Sequence, residues 1–186
     1  MARKSSKESI LDAAEKVVLE KGAAHMSLDL VAAKAGVSKG GLMYHFPTKE
    51  SLLKEMITRL INEFLEGREK KAAQLKDSQG RLLKAEIMSV LDPNEKRDRM
   101  ALSILAVVAQ APYLLEPLRQ AHRDHLQMLQ NSKLPFERAA LVSLASSGLM
   151  FLELLHLTPY SALQRKNIMN EMMRLVDQME SPAGRS

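Results

Sequence analysis

Three features of the 186-residue sequence predict an all-α fold. Apolar residues recur at helical spacing along the chain, and no segment alternates with period two for long. The apolar set is chiefly Ala, Leu, Met and Val. Aromatics make up 4%, Trp is absent and Met contributes 12 residues, a balance that suits helices better than pleated sheets. Capping residues and Gly or Pro stops also punctuate the periodic runs at helix-length intervals. With 46% hydrophobic residues the chain can bury a real interior, as one ordinary domain or two small ones sharing a core.

The first helix is predicted to open at the capping box Ser5-Ser6-Lys7-Glu8. It carries the stripe Ile10, Ala13, Ala14, Val17 and Val18, and Gly22 ends it. Ser27 caps a second helix with Asp29 in its first turn and Leu28, Val31, Ala32 and Ala35 inward, stopped by Gly36. Ser38 caps a third, with Leu42 and Phe46 one turn apart, and Pro47 closes it. Thr48 caps a fourth, running to about Gln74 on the stripe Leu53, Met56, Ile57, Leu60, Ile61 and Phe64. Asp77–Gly80 is a predicted loop, Leu82–Leu91 a helix and Asp92-Pro93-Asn94 a break. Further helices are expected over Glu95–Ala111, from Pro112 and Pro117 to about Asn131, over Pro135–Leu157 and over Ser161–Met179, with a frayed tail from Ser181.

Several function classes are disfavoured. Without cysteine there is no disulfide, thiolate metal site or Cys nucleophile. The polar start, Met-Ala-Arg-Lys-Ser-Ser-Lys-Glu-Ser, has no apolar stretch behind it, which argues against a secretory signal. The run Ala139–Leu157 has the length of a membrane span. It holds Glu153, costly in mid-bilayer, so a buried helix is expected and no membrane. The net charge of +5 is mild and denser towards the front, which permits an anionic partner without demanding one. No phosphate-cradling Gly loop, nucleophile elbow or His-Glu-x-x-His is present, and no enzyme is expected.

Residues 27–46 are the informative stretch: a capped helix, a short Gly-led turn and a second capped helix, the pattern of a helix-turn-helix. Gly36 supplies positive φ, Val37 plugs the angle, and the small Ala32 and Ala35 let the helices cross closely. The third helix presents Lys39, Gly40, Gly41, Met43, Tyr44 and His45, and its bare front lets backbone approach base edges. Lys39 can reach a guanine edge or a phosphate. Tyr44 and His45 can donate to phosphate oxygens, and Lys49, opening the next helix, suits a phosphate. The bland alternative is an ordinary helical hairpin in a bundle, against which the clustering of Lys39, Tyr44, His45 and Lys49 argues.

Residues 7–65 resemble the N-terminal domain of the TetR family of bacterial regulators, on the strength of Gly36-Val37-Ser38-Lys39-Gly40-Gly41-Leu42-Met43-Tyr44-His45-Phe46-Pro47-Thr48-Lys49-Glu50-Ser51-Leu52-Leu53. The resemblance covers about a third of the chain. It implies a recognition helix that brings Lys39 and Gly40 near bases, and phosphate contacts for Ser27, Ser38, Tyr44, His45 and Lys49. Gly41 and Met43 stand where the family often has Thr and a second aromatic. The implied plan is a helix-turn-helix DNA-binding domain over 1–47 and a helical regulatory and dimerisation domain over 48–186. Its partners would be a double-stranded DNA operator, a second copy paired through Pro135–Leu157 and Ser161–Met179, and a small apolar ligand among the C-terminal helices. The implied role is a cytoplasmic repressor with no cofactor. The alternative from another class is a nucleoid-associated or structural DNA-binding factor with a protein partner and no inducer.

Elsewhere the bland readings prevail. Ala139, Ala140, Ala145, Ser146 and Gly148 invite a close second helix, within or between subunits. His122 and His125 share a helix face but lack further ligands, so a solvated polar face and no metal is expected. His156 reads as a satisfied core histidine, and Met88, Met100, Met128, Met150, Met169, Met172 and Met173 as core fill or pocket lining.

Overall fold

The computed structural model describes residues 6–92 and 94–181. Ser5 of the first capping box, the Pro93 break and the tail beyond Ser181 lie outside the described residues. Among those described the regular structure is helical throughout: α1 (Ser6–Lys21), α2 (Leu28–Ala35), α3 (Lys39–His45), α4 (Lys49–Ala72), α5 (Arg81–Ser89), α6 (Glu95–Val108), a 3₁₀ turn (Pro112–Leu115), α7 (Glu116–Asn131), α8 (Phe136–Leu154) and α9 (Ala162–Glu180). None of these helices is long and apolar enough to cross a membrane.

The described residues form two compact units, the first running through Asn62 and including Asn94–Ala121, the second holding the rest. The first unit has one continuous core, built from Ile10, Leu11, Ala14 and Val18 of α1, Val31 of α2, Leu42 of α3, Leu52, Met56 and Ile57 of α4, and Met100 and Ile104 of α6. Leu52, absent from the predicted stripe of α4, is fully buried. Thr48 caps α4 through its hydroxyl, which accepts from Ser51 N–H at 3.0 Å, and Ser51 Oγ accepts from Thr48 N–H at 3.2 Å.

The second unit has a separate core in which Leu83 and Ile87 of α5 meet Ala139, Val142 and Leu149 of α8 and Met172, Val176 and Met179 of α9. Gly80 opens α5 and sits hard against α9, since a Cβ there would lie 2.3 Å from Val176 Cγ1. Its N–H donates to Glu180 Oε1 at 2.6 Å, and Lys84 pairs with Glu180 and Asp177 at 2.6 and 2.7 Å. Ser161 and Gln164 form the capping box that starts α9.

Several helices stop short of the predicted ends: α4 ends at Ala72 and α5 at Ser89, each two residues early. α6 ends at Val108 rather than Ala111. α8 ends at Leu154 because His156 takes a left-handed conformation (φ 54°) and Leu157 N–H reaches back to Leu152 O at 2.8 Å. His156 is therefore an exposed helix-closing residue, not a core histidine.

Candidate nucleic-acid interface

The head is assembled by local hydrogen bonds and two apolar anchors. Ser27 Oγ accepts from Leu30 N–H at 3.3 Å to start α2. Gly36 (φ 67°) ends it, and Val37 N–H bonds back to Ala32 O at 3.1 Å. Ser38 Oγ then accepts from Gly41 N–H at 3.0 Å to start α3. A helix of 7 residues has too few internal bonds to hold itself, so α3 depends on burying Leu42 and Phe46 in the core of the first unit.

That anchoring decides what faces outward. Gly40, Gly41 and Tyr44 lie on the side of α3 opposite Leu42 and Phe46, and Tyr44 is 85% exposed. Met43 and Lys39 are also exposed, and His45 is half-buried with its ring edge-on to Tyr44, 5.2 Å between centroids. A Cβ on Gly40 would meet nothing within 4 Å, so the front of α3 is low and open. Lys49, the first residue of α4, donates to Ala24 O at 2.9 Å. Ser27 and Ser38 spend their hydroxyls on capping bonds, which leaves oxygen lone pairs and the hydroxyl proton for a further partner.

Two features escaped the sequence reading. Asp29 holds Lys39, with its two carboxylate oxygens 2.9 and 3.2 Å from Nζ, so the exposed lysine of α3 is paired with a carboxylate of α2. Both residues sit in the first turns of successive helices, which is the signal that could have joined them. Ion pairs also join α1 to α4: Arg59 of α4 pairs with Asp12 at 2.7 Å and Glu15 at 3.2 Å, and Lys7 of α1 with Glu55 at 2.5 Å. Lys96 of α6 adds a 2.6 Å bond to Glu15. These partly buried pairs tie α1 to α4 and α6, and α3 packs against α1 and α2.

The arrangement presents a glycine-fronted helix with hydroxyl, imidazole and ammonium donors around it, the chemistry a duplex requires. Two family models match the chain: bacterial regulatory proteins of the tetR family over residues 10–56, and the tetracyclin repressor-like C-terminal domain over residues 80–177. The chain belongs to the TetR family of bacterial regulators. It is a DNA-binding transcriptional regulator, not an enzyme. TetR-family regulators bind DNA operators, act as dimers and take ligands in the C-terminal domain.

Solved structures share the fold. The Streptomyces coelicolor A3(2) protein SCO7518 is 20% identical with a TM-score of 0.75, over 93% of this chain and 99% of that one. The multidrug binding protein EbrR, complexed with imidazole, is 21% identical with a TM-score of 0.71, over 99% and 100%. SCO1917, a TetR-family member from Streptomyces coelicolor A3, is 22% identical with a TM-score of 0.69, over 92% and 98%. No curated protein matches the chain in sequence.

In the second unit of this TetR-family chain the small residues of α8 divide between two faces. Ala139 and Ser146 are buried in the unit's own core, whereas Ala145 and Gly148 are exposed. Around the latter stand Leu141, Leu144 and Phe151, 66%, 69% and 49% exposed. His122 is exposed while His125, one turn on, is half-buried among polar groups. Among the described residues no three His, Asp or Glu side chains converge as a metal would need.

Proposed function

We propose that this regulator is a ligand-responsive repressor that binds a pseudo-palindromic operator as a homodimer in the cytoplasm. The observation that carries the DNA-binding half is the outward face of α3, low at Gly40 and ringed by donors, opposite a buried Leu42–Phe46 anchor. In this reading Lys39 and Gly40 lie against base edges, Gly41 keeps the backbone close, and Met43 offers an apolar contact. Ser27, Ser38, Tyr44, His45 and Lys49 contact phosphates and set the register.

The exposed Leu141, Leu144 and Phe151 support pairing of α8, with α9, against a second copy, since apolar patches of this kind mark protein interfaces. A small molecule held in the C-terminal domain then releases DNA by binding the DNA-free state more tightly than the bound one.

The test is selection of duplexes from a random-sequence pool by the full-length protein. An inverted repeat should emerge with half-sites about one helical turn apart. A double variant, Leu141→Asp with Leu144→Asp, should sediment as a folded monomer and lose the repeat. No enrichment, or selection of a lone half-site by wild-type protein, sinks the reading.

A further inference from the structure

The second unit buries a polar relay that DNA binding does not use. Arg68 of α4, Glu86 of α5, His125 of α7 and Ser143 of α8 converge from four helices. Arg68 Nη1 lies 3.4 Å from His125 Nδ1. A guanidinium can only donate, so Nδ1 is the acceptor and the imidazole proton sits on Nε2. Nε2–H donates to Ser143 Oγ at 2.8 Å, and Oγ–H donates to Glu86 Oε1 at 2.8 Å. The relay therefore runs one way, from a cation to a carboxylate.

Its two ends are only partly used. Glu86 Oε2 and Arg68 Nε are buried and make no hydrogen bond within the protein. The side chains involved are 8% and 11% exposed. Glu86 Oε2 points back at the relay, 3.4 Å from His125 Nε2, whose proton is committed to Ser143. Apolar residues flank the relay: Leu83 and Ile87 beside Glu86 on α5, Leu129 one turn beyond His125 on α7, Ala139 and Val142 beside Ser143 on α8. Burial pushes the Glu86 carboxyl up and the His125 imidazole down from their ordinary ranges. Stability alone does not favour such a cluster, because well-packed apolar side chains of similar size would serve the core at least as well. Buried polar groups with unmet bonding capacity, perturbed by desolvation, mark binding sites.

We propose that this relay is the polar anchor of the effector site, and that it takes an uncharged, largely apolar molecule bearing one donor–acceptor group, such as a carboxamide or lactam. The proposal rests on the reading that the C-terminal domain binds a ligand. The chemistry selects the class. Glu86 Oε2 wants a donor and Arg68 Nε an acceptor, and an amide supplies both. An ammonium would be set beside the Arg68 guanidinium and a carboxylate beside the Glu86 carboxylate, leaving a buried charge uncompensated in either case.

A chain-matched set of probes tests this: octanamide, octylammonium and octanoate, measured by thermal shift and calorimetric titration on full-length protein. Octanamide alone should raise the melting temperature. Glu86→Gln places an NH₂ where the unused acceptor stands and should weaken octanamide at least tenfold; Ser143→Ala, which breaks the relay without adding bulk, should weaken it several-fold. Lys16→Ala, on the exposed side of α1, should bind it as wild type does. The proposal is overturned by no response to octanamide, by an equal or larger response to either charged probe, or by undiminished binding in both relay variants. Duplex retention, followed on the same samples, separates the two levels. Octanamide that binds at the relay yet leaves DNA held overturns ligand-driven release and keeps the site. Protein that holds its selected duplex but ignores octanamide does the reverse.

Discussion

α3 and α8 each give one side to a core, and their other sides differ in kind. α3 buries Leu42 with Phe46 just beyond it and shows two glycines, a lysine, a tyrosine and a histidine. α8 buries Ala139, Val142, Ser143, Ser146 and Leu149 and shows Leu141, Leu144 and Phe151. A face of donors on a low backbone suits a wet, anionic partner, whereas an apolar face with small residues between suits a second protein surface. The comparison teaches that exposure means little until the chemistry of the exposed face is read. Tyr44 and Leu144 are both far out of the core and imply opposite partners.

The sharpest way to break the contrast is to remove what turns α3 outward. Leu42→Ala should cost the first unit about 2–5 kcal/mol, seen in urea unfolding, with loss of duplex binding. Gly80→Ala probes the second unit. Its Cβ would strike Val176 and Glu180, so about 1–3 kcal/mol of destabilisation is expected while duplex binding at low temperature persists. Lys39→Ala should leave both units folded and cost about 1–3 kcal/mol of discrimination at one position per half-site, read from selected sequences. Lys49→Ala should instead weaken all duplexes alike and reduce the salt slope by about 1. The smallest effect belongs to Asp29→Asn. An exposed ion pair is worth about 0.2–1 kcal/mol. Freeing Lys39 and removing a negative charge should tighten binding to random duplex a few-fold at low salt, with the gain fading as salt rises.

Legibility followed the range of the interactions. Ser27, Gly36 and Ser38 act on residues within a turn of themselves, so the helices of the head could be read from spacing alone. The Asp29–Lys39 pair and the Arg59 contacts with Asp12 and Glu15 join separate helices, and no periodicity announces them. The same holds for the relay, where Arg68 and Glu86 meet His125 and Ser143 from 57 residues away. His156 misled because its apolar neighbours suggested a core, while the chain needed a residue to close α8 in the left-handed region. Ala139 and Ala145 look alike in sequence; only the packing of α8 sends one inward and leaves the other out.

Backbone amide shifts, followed by NMR as a selected duplex is titrated into the full-length protein, decide whether α3 is the surface that meets DNA. The largest changes should fall on Ser27, on Ser38 through His45 and on Lys49, with Leu141 and Leu144 unmoved. Saturable duplex binding that leaves the α3 amides still while perturbing another surface would mean that DNA docks elsewhere than on α3.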